Sequence, residues 1–146
     1  MSPIHCILHP TDFSERSEWA FRLATSLARD HGASLIVLHV YAPPVFHGEV
    51  VARRQPNGFH EQLLQQLRQV RPTESTIQVT YLLEEGEPAQ VILGVASEQS
   101  CDLIVLGTHG RTGLRRALMG SVAEQVVRQA PCPVLTVSVP IERTAI

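Results

Sequence analysis

At 146 residues with 44% hydrophobic residues and a net charge of −2, the chain can bury one well-developed core, so a single domain spanning residues 1–146 is expected. It has no basic tract to attract nucleic acid or an anionic membrane surface, and no apolar run approaches the ~20 residues of a membrane span. The start, Met1-Ser2-Pro3-Ile4-His5-Cys6, lacks the charged and apolar regions of a secretion signal, so a soluble cytoplasmic protein without nucleic-acid or membrane partners is expected.

Ile4 to His9 reads as a first strand, and Pro10-Thr11-Asp12-Phe13-Ser14 as a turn able to cap the helix behind it. Trp19, Ala20, Leu23, Ala24, Leu27 and Ala28 recur at helical spacing up to His31-Gly32, where glycine ends the helix. Ser34 to Tyr41 is apolar at successive positions, as in a parallel strand covered on both faces. Ala42 to Gly58, with Pro43-Pro44, Pro56 and Arg53-Arg54, reads as a long surface loop.

A second helix runs from Phe59 to about Val70, and β-forming residues from Ile77 to Leu83 make a third strand. Gly86-Glu87-Pro88 starts a third helix with Ala89, Ile92, Leu93 and Ala96 inward, and Gly94 is expected to permit close packing. Leu103 to Leu106 is the fourth strand. A last helix follows Ser121, and Val134 to Val139 is the fifth strand after Pro131-Cys132-Pro133. This alternation predicts an open, mostly parallel five-stranded α/β sheet with helices on both faces. Ligands of such sheets bind beyond the carboxyl ends of the strands, where the strand order reverses. Asp12, the end of the second strand at His39-Val40-Tyr41, and Gly107 to Ser121 are therefore expected to meet around one ligand.

The stretch GTHGRTGLRRALMGS, Gly107 to Ser121, joins the fourth strand to the last helix and reads as an anion site. Its glycines let a ligand approach the main chain, and the helix start offers free N–H groups and a positive dipole end. Arg111, Arg115 and Arg116 supply cations, with Arg111 counted among the phosphate contacts, and Thr108, Thr112 and Ser121 supply hydroxyls. Ser121 and Glu124 also have the S-x-x-E spacing of a capping box. A P-loop is excluded because the chain has no lysine, and the G-x-G-x-x-G dinucleotide pattern is absent. His9 and His39 are too few for a metal site and read as core histidines. Cys6, Cys101 and Cys132 lack metal-ligand spacing and are expected to be reduced and mostly buried.

At these residues the chain resembles the universal stress protein family over nearly its whole length. The resemblance rests on Pro10 to Ser14, Gly86-Glu87-Pro88, Asp102 to Gly110, and Gly120-Ser121 with Pro131-Cys132-Pro133-Val134. The nucleotide-binding branch carries G-x-x-G, nine residues, then G-[ST]; here Gly107-x-x-Gly110 is followed by nine residues, Arg111 to Met119, and Gly120-Ser121. The resemblance implies a Rossmann-like ATP site. In it Asp12 holds the ribose hydroxyls, Val40 meets adenine through its backbone, and Gly107, Gly110, Gly120 and Ser121 surround the phosphates. Mg²⁺ is expected on the phosphates, because no carboxylate cluster is visible to cage it. The resemblance also implies a homodimer through the C-terminal strand.

The function expected is a nucleotide-dependent switch or regulator in stress response, with ATP occupancy acting on the segment from Arg111 to Met119 or on the dimer. The alternatives are slow ATP hydrolysis or adenylyl transfer, and an interaction protein with an empty site. No residue is assigned as catalytic, since no histidine–carboxylate pair reads as a general base.

Overall fold

The computed structural model describes residues 3–42, 45–46, 49–50, 58–108 and 120–139. In chain order the elements are β1 (Cys6–Pro10), α1 (Glu15–His31), β2 (Ser34–Tyr41), β3 (Val45–Phe46), β4 (Glu49–Val50), α2 (Phe59–Arg68), β5 (Val79–Glu85), α3 (Pro88–Glu98), β6 (Leu103–Gly107), α4 (Ser121–Gln129) and β7 (Val134–Val137). Five of the strands form one sheet in the order β5-β2-β1-β6-β7, and every pairing in it is parallel. This is the expected architecture. The order reverses between β1 and β6, because the chain builds outward from β1 to β5 on one side before crossing to β6 and β7 on the other.

Successive strand residues face opposite sides of the sheet, and each side has its own core. Leu8, Ile36, Leu38, Ile104 and Leu106 pack with Ile92 and Val95 of α3 and with Ala123 and Val126 of α4. Ile7, Leu35, Val37, Leu103 and Val105 pack with Ala20, Ala24 and Ala28 of α1 and with Leu67 of α2. The three alanines of α1 are one helical turn apart and almost fully buried. Their small side chains let the helix lie close on the centre of the sheet, which brings its N-terminus to the switch point.

The helix ends follow local chemistry. Ser14 caps α1 by accepting from Ser17 N–H, and Gly32 closes it at φ 65°, a left-handed conformation that favours glycine. Glu87 caps α3 with a carboxylate that accepts from Ala89 and Gln90 N–H, ahead of Pro88 in the first turn. Gly94 differs from expectation: a β-carbon there would meet nothing within 4 Å, so close packing does not require glycine at this position.

Several boundaries move by a few residues. β1 and β5 begin and end two residues or so later than the apolar runs suggest, α2 stops at Arg68, and β7 stops at Val137. The stretch expected as a loop between Ala42 and Gly58 contains a small antiparallel pair, with Val45 opposite Val50 and Phe46 opposite Glu49.

Candidate functional site

The site begins where β1 runs out. The Thr11 N–H extends the ladder to Leu38 O at 2.8 Å, after which the chain turns away. Asp12 Oδ1 accepts from Ser14 N–H at 2.9 Å and from the Ser17 hydroxyl at 2.7 Å, and the Asp12 N–H donates back to Ser17 Oγ at 3.1 Å. Phe13 then takes φ 65°, a conformation costly for a bulky residue. Its ring lies against His39 with centroids 4.4 Å apart, and His39 Nδ1 sits 2.8 Å from Thr11 O. The turn is thus held from below by two serines and from above by a ring pair. Burial alone would push the Asp12 carboxyl up, but the Ser14 and Ser17 hydrogen bonds outweigh it and hold the group below its ordinary value, so it stays ionised at neutral pH.

Val40 is placed by the same turn. Along β2 the backbone groups point alternately to the two neighbouring strands: Leu38 O meets Thr11 on the β1 side, and Tyr41 O meets Gly86 N–H on the β5 side. Val40 shares the direction of Leu38, yet the β1 register ends at Pro10 opposite Leu38. Thr11 O, the next acceptor in a continuing ladder, lies instead at His39 Nδ1. The Val40 N–H and C=O therefore face the space that β1 leaves.

On the other side of the switch point, β1 and β6 stay in register only for Ile7 with Leu103 and Leu8 with Ile104. Beyond that they part, and His9 fills the join: it is fully buried, with Nδ1 2.9 Å from Val105 O and its ring tilted against Phe21. Its Nε2 has no hydrogen-bond partner among the described residues. Burial pushes its pKa down to about 4, against smaller opposing effects of the Val105 hydrogen bond and the Asp12 charge, so the ring is neutral with its proton on Nδ1.

The parted strands open a cavity of about 330 Å³. Leu38, Ile92, Leu106 and Val122 give it apolar walls, and Asp12, Thr108, Gly120 and Ser121 add polar groups to its lining. Thr108 forms its threshold. The Thr108 N–H donates to Val137 O at 3.1 Å, its C=O accepts from Gly120 N–H at 2.5 Å, and its buried Oγ1 has no partner among the described residues. The Thr108–Gly120 bond joins the two ends of the glycine-rich segment and sets the start of α4 against the end of β6.

The expected capping box does not form. Gly120 is the N-cap of α4, no side chain caps it, and Ser121 is the first helical residue. The Thr108–Gly120 closure shifts the helix start by one residue, which leaves the Ser121 hydroxyl and the first-turn N–H groups on the cavity. Without a side-chain cap, the positive end of the helix is available to an anion.

Of the residues singled out in the sequence, Asp12, Val40, Gly107, Gly120 and Ser121 all line this one cavity. Gly110 and Arg111 lie outside the described residues, as do His109, Arg115 and Arg116. Gly107 has a second reason to be glycine: a β-carbon there would stand 3.0 Å from the backbone carbon of Arg16 at the start of α1. Gly107→Ala is accordingly expected to cost about 1–3 kcal/mol of stability, read as a lowered midpoint in urea unfolding, with or without a ligand. Ser17 and Pro88 also line the cavity, although the sequence marks Pro88 only as a helix start and Ser17 not at all; the Ser14-to-Ser17 spacing on a helix start is the available sign for the latter. His9 and His39 each serve a backbone carbonyl, and among the described residues no group of three His, Cys, Asp or Glu side chains is placed to hold a metal.

An open parallel sheet whose cleft lies at the switch point, with a carboxylate turn on one side and an uncapped helix start on the other, defines a protein of the Rossmann-like α/β class. Comparison with known proteins narrows this class. The chain belongs to the universal stress protein family, whose family model matches residues 4–138. It is 35% identical over 136 residues to a putative universal stress protein of Staphylococcus haemolyticus, covering 90% of this chain and 82% of that one. It is 34% identical over 145 residues to a universal stress protein of Methanocaldococcus jannaschii, covering 92% and 82%. Among solved structures, universal stress protein UspA of Lactobacillus plantarum superposes with a TM-score of 0.71 at 26% identity, over 94% of this chain and 99% of that one. Two further folds of this kind were solved with nucleotides: a universal stress protein in complex with cAMP, at TM-score 0.70 and 23% identity over 94% and 98% of the two chains, and one from Archaeoglobus fulgidus in complex with dAMP, at 0.66 and 23% over 94% and 99%. No helix among the described residues is long and apolar enough to cross a membrane.

Proposed function

We propose that the protein binds ATP with Mg²⁺ in this cavity and acts as a nucleotide-dependent switch in stress response. The observation that carries the reading is the convergence of Asp12, Val40, Gly120 and Ser121, distant in sequence, on one cleft that also has apolar walls and the uncapped start of α4. The chemistry of the walls fits the ligand part by part. The Asp12 carboxylate accepts from vicinal ribose hydroxyls, and the Val40 N–H and C=O offer a donor and an acceptor to a base edge. Leu38, Ile92 and Leu106 give an aromatic ring apolar contact. The first turn of α4, Ser121 and the Thr108 hydroxyl, which has no partner among the described residues, donate to phosphate oxygens. Gly110 and Arg111 complete the phosphate end in this reading. Mg²⁺ would be held by the phosphates, because Asp12 is the one carboxylate on the cavity wall among the described residues and its Oδ1 is already engaged. The two nucleotide-bound neighbours support an adenine nucleotide as the ligand class.

In this reading occupancy is sensed by the segment between Thr108 and Gly120 and passed on in the cytoplasm as a change in what the protein contacts. β7 is an edge strand of the sheet with Leu135 37% exposed, and we assign it to a homodimer contact through its unpaired backbone edge.

The test is to identify the nucleotide released when the purified protein is denatured, and to titrate stripped protein with ATP, cAMP and GTP in the presence of Mg²⁺, with sedimentation of the same samples. ATP recovered intact, preferred over GTP and turning over little in hours, is the expected result. Steady appearance of ADP or AMP would favour slow hydrolysis or adenylyl transfer, and no adenine-nucleotide binding would leave an interaction protein.

A further inference from the structure

The three cysteines, remote in sequence, meet at the end of the sheet opposite the cavity. Cys6 opens β1, Cys101 stands just before β6 and Cys132 just before β7, so three neighbouring strands each bring one thiol to this end. All three are free and share one apolar cluster. Cys6 Sγ lies 3.7 Å from Cys101 Sγ. Asp102 fixes that spacing: its N–H donates to Cys6 O at 2.8 Å, and its Oδ2 accepts from the N–H groups of His5 at 2.8 Å and Cys6 at 3.0 Å. Cys101 is thus the diagonal neighbour of Cys6, one residue before the position opposite it, and the two sulfurs at 3.7 Å need to close by less than about 2 Å to reach disulfide bonding distance.

We propose that Cys6 and Cys101 form a modification site at which a hydroperoxide installs an intramolecular disulfide between the start of β1 and the start of β6. Cys6 is half-buried and Cys101 buried, so Cys6 is the thiol a small peroxide reaches. Its thiolate attacks one peroxide oxygen, the O–O bond breaks, and the other oxygen takes a proton and leaves as water; Cys6 becomes a sulfenic acid. Cys101 then attacks that sulfur, the S–S bond forms, the S–O bond breaks, and the hydroxyl leaves as water with the Cys101 proton. Two thiols lose two electrons in total and one hydrogen peroxide becomes two waters. Burial, reinforced by the neighbouring Cys6, pushes the Cys101 thiol well above its ordinary value, which suits it to the second step rather than the first. Cys132 is pushed up as well, chiefly by burial, and remains a thiol in this scheme.

The alternative is that the three act only as small hydrophobes. To decide, the folded protein is treated with hydrogen peroxide, quenched, unfolded, alkylated without reduction and digested. The expected product is a peptide pair joining Cys6 to Cys101, lighter by two hydrogens than the separate thiol peptides, with Cys132 alkylated. The link is expected to vanish in Cys6→Ala and Cys101→Ala and to persist in Cys132→Ala, which controls for removing a thiol from the same cluster. Because the bridge joins positions 95 apart in the chain, the oxidised protein is expected to melt higher by roughly 10 °C. Alkylation of all three cysteines after peroxide, a link only between molecules, or sulfinic acid at Cys6 with no link would each overturn the proposal. The readout on the parent protein needs no variant to fold.

Discussion

Asp12→Ala is expected to weaken ATP binding by about 10- to 100-fold while the sheet stays folded. Hydrogen bonds to a charged group contribute roughly 1.5–3 kcal/mol, and each 1.4 kcal/mol is a factor of ten in affinity. The hydrogen bonds from the Ser14 N–H and the Ser17 hydroxyl both go to Oδ1 of the carboxylate. Ser14 caps α1 without help from Asp12, so the helix keeps its cap in the variant, and the loss of the two bonds to Oδ1 is expected to lower stability by only about 1 kcal/mol. A thermodynamic cycle makes the assignment specific. The parent should prefer ATP to its 2′,3′-dideoxy analogue, and that preference should largely disappear in Asp12→Ala, because the carboxylate proposed to read the hydroxyls is gone. Calorimetric titration of both proteins with both nucleotides gives the four affinities. An unchanged preference in the variant would place the ribose elsewhere, even if ATP still enters the cavity.

How much of this arrangement was legible beforehand depends on the kind of interaction that fixes each part. The sheet was readable because its strands are buried on both faces, so Leu35-Ile36-Val37-Leu38 and Leu103-Ile104-Val105-Leu106 stand out as unbroken apolar runs. The ends of α1 were readable because Ser14 and Gly32 act locally. Boundaries set by partners distant in the chain were not. β5 extends to Glu85 because its ladder with β2 runs as far as Tyr41, and polar Glu84 and Glu85 give no sign of that in a hydropathy pattern. The β3–β4 pair was hidden for the opposite reason, being too short to carry a period.

The site divides in the same way. Asp12 and Gly120-Ser121 could be picked out because their neighbours in sequence carry the pattern, whereas the tether that decides how they act is long-range. Thr108 O meeting Gly120 N–H moves the helix start and turns a capping box into an uncapped N-terminus. His39 drawing Thr11 O away from the ladder is what leaves the Val40 backbone to the cavity. Gly107 shows the converse, a motif position whose missing side chain is explained by Arg16 of the packed helix. None of these follows from spacing alone.

His9 leads to the largest expected pH effect on folding. Its imidazole is fully buried as the neutral ring, and burial holds its pKa at about 4 against an ordinary 6.5. Between those values the unfolded chain binds a proton that the folded protein refuses, so acid favours unfolding. The contribution is therefore complete above pH 6.5 and is lost progressively as pH falls towards 4, by on the order of 3 kcal/mol. Asp12 acts in the same direction but lower, since a carboxyl held below its ordinary 3.8 loses its contribution only as the solution becomes more acid than that. Urea unfolding at pH 7, 5 and 4 isolates the His9 window, because that of Asp12 lies below all three. His9→Gln retains a side-chain donor for Val105 O and has nothing to titrate, so its stability should be lower than the parent's at pH 7 yet fall less between pH 7 and 4. A parallel fall in both proteins would assign the acid sensitivity to other groups.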